Sequence, residues 1–171
     1  AESEALINLF GMRCVRGFYS KTWQLRDNSV SQMLKDLDDK IKDRKPEDLM
    51  AQVFVPCMQA ISSNANEKVL KVFSREVKLL LYIIEKIDER SKGVFPRTLR
   101  APLDLFMTQL ATRMGDNNAK IAIEANDAMC SVAGHKHYGN EVIRIALKIP
   151  DKLKPSAYRP VLGILRFILS M

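Results

Sequence analysis

Apolar residues recur along this chain at three- and four-residue steps. Val69, Val72, Phe73, Leu80, Ile84 and Ile87 fall on one stripe, with Lys71, Arg75, Lys78 and Glu85 between them. Ile121, Ala125, Ala128, Met129 and Val132 repeat the pattern, as do Leu6, Leu9, Phe10 and Cys14. No stretch alternates apolar and polar positions with β-branched enrichment, so a sheet is not expected. The spacing predicts helices near 4–18, 24–40, 47–62, 67–88, 101–113, 118–133, 139–149 and 156–169, an all-α chain.

The breaks organise these helices. Short breaks fall at 19–23, 63–66, 114–117 and 151–155, and longer ones at 41–46, 88–100 and 134–138. The short breaks recur about every 40 to 50 residues, the period of helical-pair repeats of the HEAT type. One such pair cannot bury its apolar face alone, so neighbouring pairs stack into an α-α superhelix, a HEAT/ARM-like solenoid. Four pairs account for the sequence, and 1–171 is read as one domain. Local chemistry agrees with the boundaries: Asp48 follows Pro46-Glu47 in a first helical turn, Gly115-Asp116-Asn117-Asn118 joins a helix stop to an N-cap, and Pro155 stands at a helix entrance.

Composition narrows the function. The 171 residues are 47% hydrophobic, enough for a core and too many for a disordered tail, and 27 Lys+Arg against 20 Asp+Glu leave a formal charge of +7. The longest apolar candidates, 77–87 and 161–171, are interrupted by Lys78, Glu85, Lys86 or Arg166 and fall short of the roughly 18 residues a membrane span needs. The acidic first residues do not resemble a secretory signal. Cys14, Cys57 and Cys130 are odd in number and far apart, which predicts buried free thiols in a reducing compartment.

No catalytic constellation stands out. The seven glycines form no nucleotide-binding fingerprint, and neither His-Glu-x-x-His nor Gly-x-Ser-x-Gly occurs. His135 and His137 flank Lys136 without a third metal ligand, and Asp38-Asp39 read as a solvated helix end. No enzyme, cofactor or metal site is expected.

A surface remains as the candidate. In stacked helical pairs the turns within pairs line one edge, about 10 Å apart per layer. Those turns hold Lys21, Thr22, Trp23 and Arg26; then Asn64, Asn66 and Lys68; then Asn117, Asn118 and Lys120; then Lys152, Lys154 and Ser156. Cations at a helix entrance oppose the helix dipole, so their repetition points to an acidic partner, although a lysine-rich solvated surface is the simpler account. Trp23 reads equally as a residue packed beside its turn and as an interface anchor.

Leu9-Phe10-Gly11 followed by Phe18-Tyr19-Ser20-Lys21-Thr22-Trp23-Gln24-Leu25-Arg26 resembles the first repeat of a TOG domain, most narrowly that of the ciliary-tip family called centrosomal protein of 104 kDa. The 113–120 turn with the helix after it resembles that family's third repeat, and Lys154-Pro155-Ser156-Ala157-Tyr158 its fourth. The resemblance implies a non-enzymatic HEAT-repeat domain that binds the α/β-tubulin heterodimer through the intra-pair turns. Carried over by position, Trp23 is the anchor with Lys21 and Arg26 beside it. Lys68, Lys120 and Lys154 are the cations, and Asn66 and Asn118 supply hydrogen bonds. It further implies a cytoplasmic, cytoskeletal place at the centriole or cilium tip, with other ciliary-tip or centriolar partners bound by regions outside this chain and no membrane contact. Many TOG domains carry six repeats against the four read here, and the apolar run 162–171 would normally be covered by a further repeat; a truncated chain, a shortened domain and a dimer that buries that end are the alternatives, with a fragment of a longer protein expected. Two other readings compete. A nucleic-acid-binding helical repeat would place stacking residues in every turn, whereas only the first has one. A HEAT scaffold for some other protein would need an apolar concave groove.

Overall fold

The computed structural model describes residues 2–42, 44–64, 66–90 and 97–135, together with 139, 144, 162–163 and 166–169. Among them there are helices and no strands. In chain order they are α1 (Glu2–Phe18), α2 (Trp23–Lys42), α3 (Pro46–Leu49), a π-helical turn (Met50–Phe54), α4 (Val55–Asn64), α5 (Leu70–Arg90), α6 (Arg97–Arg113) and α7 (Ala119–Ala133). The helices expected over 139–149 and 156–169 lie mostly outside the described residues, although Gly139, Arg144, 162–163 and 166–169 are helical. The chain divides into two compact units, residues 1–102 and 103–171.

In the first unit α1 packs on α2 and α4, and α5 packs on α2 and α4. Leu6, Leu9 and Phe18 from α1, Val30, Met33 and Leu37 from α2, Phe54, Cys57 and Ile61 around α4, and Val72, Phe73, Leu80 and Ile83 from α5 make its core. Burying each of the larger side chains contributes about 1.5–3 kcal/mol. Two glycines shape α1. Gly11 has φ 79 and ψ 155, a conformation closed to most L-residues, and interrupts the helix there. At Gly17 an added Cβ would stand 2.2 Å from Ser29 Oγ, so the glycine lets α1 and α2 approach closely.

The single helix expected over 47–62 is a composite of α3, the π turn and α4. The Val55 N–H bonds back to the Met50 carbonyl, five residues away, and Pro56 follows with no N–H to return to the carbonyl four residues before it. The proline thus sits where the ordinary ladder has already been relaxed. Helix α6 begins four residues earlier than expected and runs through Pro102.

The second unit is built on Leu103, Phe106, Met107 and Leu110 of α6, Ile121, Ala125, Ala128, Met129 and Val132 of α7, and Phe167, all buried. The three cysteines are free thiols; Cys14 and Cys57 are buried and Cys130 is half-buried. Burial, with a smaller contribution from nearby Cys14, pushes the Cys57 thiol up to about 12. No described helix is long and apolar enough to cross a membrane.

Candidate partner-binding turns

The first turn joins α1 to α2. Buried Phe18 closes α1, and the Tyr19 ring meets it edge-on, centroids 5.0 Å apart and planes at 88°. The Ser20 N–H returns to the Gly17 carbonyl, the Ser20 hydroxyl accepts from the Thr22 N–H (3.1 Å), and the Thr22 carbonyl receives the N–H groups of Leu25 and Arg26. Helix α2 therefore opens directly after Thr22, with Trp23 as its first residue. Tyr19, Trp23 and Leu25 stay exposed, at 51%, 37% and 49%. Single exposed apolar residues are ordinary; these three stand on the turn and on the helix start that follows it.

A charged cluster supports Trp23 from below. The Lys71 ammonium lies 5.7 Å from the centroid of its ring and 2.9 Å from Asp27 Oδ2. Asp27 is buried and also accepts from Arg75 Nε. Burial alone would raise its pKa, but the hydrogen bonds and charges of Lys71 and Arg75 outweigh that and hold the carboxyl below its usual range.

The second turn joins α4 to α5. The Glu67 N–H bonds to the Asn64 carbonyl, and the buried Glu67 carboxylate accepts from the Val69 N–H at 2.8 Å. The Val69 carbonyl then receives the N–H groups of Val72 and Phe73, opening α5. Asn66 and Lys68 are exposed. Arg26 crosses from the first turn to this one: its Nε donates to Glu67 Oε2 at 2.6 Å and its Nη2 to Glu67 Oε1 at 3.0 Å. Its Nη1 donates to the carbonyls of Ser20 (2.8 Å) and Lys21 (3.0 Å). Burial opposes the charge of Glu67, yet the Arg26 bonds and the Val69 N–H keep its pKa low, while the bond to Glu67 raises that of Arg26. Tyr19, Ser20, Arg26, Asn66 and Lys68 border a cavity of about 360 Å³ between the two turns.

The third turn lies in the second unit. Arg113 pairs with Asp116 at 3.1 Å. The Asp116 side chain accepts from the Asn118 N–H, and the Asn118 side chain caps α7 by accepting from the Lys120 N–H at 3.1 Å. Asn117, Asn118 and Lys120 are exposed. Met114, Asp116, Ile123, Asn126, Leu162 and Arg166 are among the residues around a cavity of about 550 Å³ in this unit.

Of the residues expected at the site, Lys21, Trp23, Arg26, Asn66 and Lys68 come together on the two turns of the first unit, and Asn118 and Lys120 on the turn of the second. Lys154, with Lys152 and Ser156, lies outside the described residues, as does His137. Arg26 and Asn118 already serve the protein's own structure. Sequence reasoning missed Asp27, Glu67 and Lys71, whose partners lie more than 40 residues away, as in the separation of 41 between Arg26 and Glu67. The available signal was weak: a lone acid, Glu67, among the polar residues of the second turn. Among the described residues no group of three or more His, Cys, Asp or Glu converges as a metal site would require.

Against known proteins, the sequence profile described as "Centrosomal protein CEP104, TOG domain" matches residues 1–156. The solved structure of the TOG domain of human Cep104 superposes with a TM-score of 0.76 at 18% identity, over 99% of this chain and 66% of its own. A second structure, titled as a CEP104 TOG domain, gives 0.78 at 22% identity, over 99% and 67%. The chain thus spans about two thirds of the length of the structures it matches, and shares their HEAT-like helical fold. No curated protein sequence matches it.

Proposed function

The chain belongs to the family of CEP104 TOG domains, and on that footing we propose that it is a non-enzymatic tubulin-binding domain that engages the α/β-tubulin heterodimer through its intra-pair turns. The observation that carries this reading is Trp23, 37% exposed at the first residue of α2. Its ring is backed by Lys71, and Tyr19 and Leu25 are exposed on the same turn. An aromatic side chain held in place and left open is a suitable anchor for a protein partner. Because Glu67 already holds Arg26, Lys21 and Lys68 are cations that these two turns leave exposed to solvent. In the second unit Lys120 stands at the start of α7, and Asn66 and Asn118 are exposed amides on their turns. We assign these residues, with Lys154, to the contact with an acidic tubulin surface, and read 1–171 as one TOG-type domain.

Binding of this kind acts by preference among tubulin conformations: a domain that holds one state better shifts the population toward it. One domain holding one heterodimer does not gain the local concentration that several linked sites provide. Attraction between exposed lysines and an acidic surface weakens with salt. We further propose that it works in the cytoskeleton at the centriole and cilium tip, a reading the family match supports.

Size-exclusion chromatography of purified tubulin with the wild-type chain and Trp23→Ala tests the reading. The expected result is a co-eluting complex that the substitution abolishes. Co-elution that survives it returns Trp23 to a packing role, and no co-elution from a folded wild type removes tubulin as the partner.

A further inference from the structure

Arg26 stands between the two turns of the first unit, and its donors are taken up within the protein. A guanidinium carries five N–H groups. Four contacts, two to Glu67 and one each to the Ser20 and Lys21 carbonyls, use the fork on both sides. Only 15% of the Arg26 side chain and 3% of the Glu67 side chain are exposed. A charge matched this closely by a buried carboxylate has little left for an outside partner. The connections it makes are mechanical. Its Nη1 holds the two carbonyls just before Thr22 and Trp23, and the carboxylate it grips also holds the N–H of Val69, the residue after Lys68.

We propose that Arg26 and Glu67 are positioning residues whose forked ion pair straps the 20–22 turn to the 67–69 turn and sets the spacing at which Trp23 and Lys68 meet a protein partner. Arg26 acts on the partner through Trp23 and Lys68, not by its own charge. Fixing both turns in the free protein removes an ordering cost that binding would otherwise bear. The partner is taken from the tubulin reading; the strap itself rests on the geometry alone.

Trp23 is the sole tryptophan of the chain, so tryptophan fluorescence of the free protein reports the surroundings of this one ring at the start of α2. Two variants of the full chain separate positioning from direct charge: Arg26→Lys, which keeps the cation and loses the fork, and Glu67→Gln, which keeps the shape and loses the carboxylate charge. Each is measured well below its melting temperature, with folding checked by circular dichroism. The readouts are acrylamide quenching of Trp23 and affinity for purified tubulin. We expect both variants to quench more readily than wild type and to bind tubulin roughly tenfold more weakly. The double variant should be no worse than the weaker single.

The proposal is overturned if Arg26→Lys keeps wild-type affinity and Glu67→Gln, by uncovering the cation, binds more tightly. It is also overturned if quenching is unchanged in both folded variants, or if quenching changes while affinity does not. A wild type that binds no tubulin removes the partner and leaves the quenching comparison to decide whether the strap exists. If Glu67→Gln does not fold, Arg26→Lys decides by its two readouts together: weaker binding with easier quenching of Trp23 supports the strap, and weaker binding with unchanged quenching overturns it.

Discussion

Trp23 and Asp27, four residues apart on one turn of α2, share the cation Lys71, which lies 5.7 Å from the indole centroid and 2.9 Å from the carboxylate. Asp27 is 4% exposed, whereas the Lys71 side chain is 58% exposed, so the two ends of the contact have different worth. An exposed lysine contributes little to an ion pair, but a buried carboxylate whose removal leaves Lys71 and Arg75 facing each other matters more. Asp27→Asn is therefore expected to destabilise the domain by about 1–3 kcal/mol, and Lys71→Ala by less than about 1 kcal/mol. Urea unfolding of the three proteins, at unchanged m-value, checks the ordering. Equal losses would show that the cluster is held from the lysine side.

The same carboxylates give the domain an acid limb. Asp27 and Glu67 both have folded-state pKa values held below their usual range, by hydrogen bonds and charges that outweigh burial. Below the unfolded values near 4, the unfolded chain binds protons that the folded chain refuses. Their contribution to stability is thus complete at neutral pH, begins to fade below about pH 5, and is lost as pH falls through the lowered folded values. Melting temperatures from pH 7 to pH 3 should fall at the acid end. The fall should be shallower in Asp27→Asn and Glu67→Gln, which have no proton to take up at those positions.

Most of the fold could be read from the sequence because its helices are amphipathic and short-range. The stripe through Val72, Phe73, Leu80 and Ile87 depends on residues three and four apart, and α5 carries it. Boundaries slipped where side chains rewrite the backbone pattern. The apolar spacing predicts helix from residue 67, but the Glu67 carboxylate accepts from the Val69 N–H two residues on and α5 starts at Leu70. The site divides the same way. Exposure of Trp23, Lys21 and Lys68 follows from their being on turns. The commitment of Arg26 to Glu67, and of Lys71 and Arg75 to Asp27, is set by which helices pack together, and no local pattern encodes it.

Close packing of α1 on α2 makes a separate expectation. A Cβ at position 17 would meet Ser29 Oγ at 2.2 Å and the Leu25 carbonyl oxygen at 3.3 Å. Ser29 is buried, so its hydroxyl cannot swing freely into solvent. Gly17→Ala is expected to cost about 1–3 kcal/mol by overpacking. Ser29→Ala removes the nearer atom, so the double variant should be more stable than the sum of the two singles predicts. Thermal unfolding of the four proteins measures that coupling; additivity would mean that the backbone, not Ser29, sets the approach.

Asn118 allows stability and recognition to be separated at one residue. Its side chain caps α7 through the Lys120 N–H, and the residue is also exposed on the third turn. Asn118→Ala removes the cap and should cost about 1 kcal/mol of stability. Asn118→Asp keeps an oxygen at the cap and places a negative charge where the helix dipole favours one, so stability should be retained or slightly raised. The same charge would face an acidic tubulin surface beside Lys120 and should weaken binding, with the loss shrinking as salt screens it. Melting curves paired with tubulin titrations at low and high salt read both effects. If Asn118→Asp is as stable as wild type and binds tubulin equally at low salt, the third turn does not face the acidic surface, and recognition rests on the turns of Trp23 and Lys68.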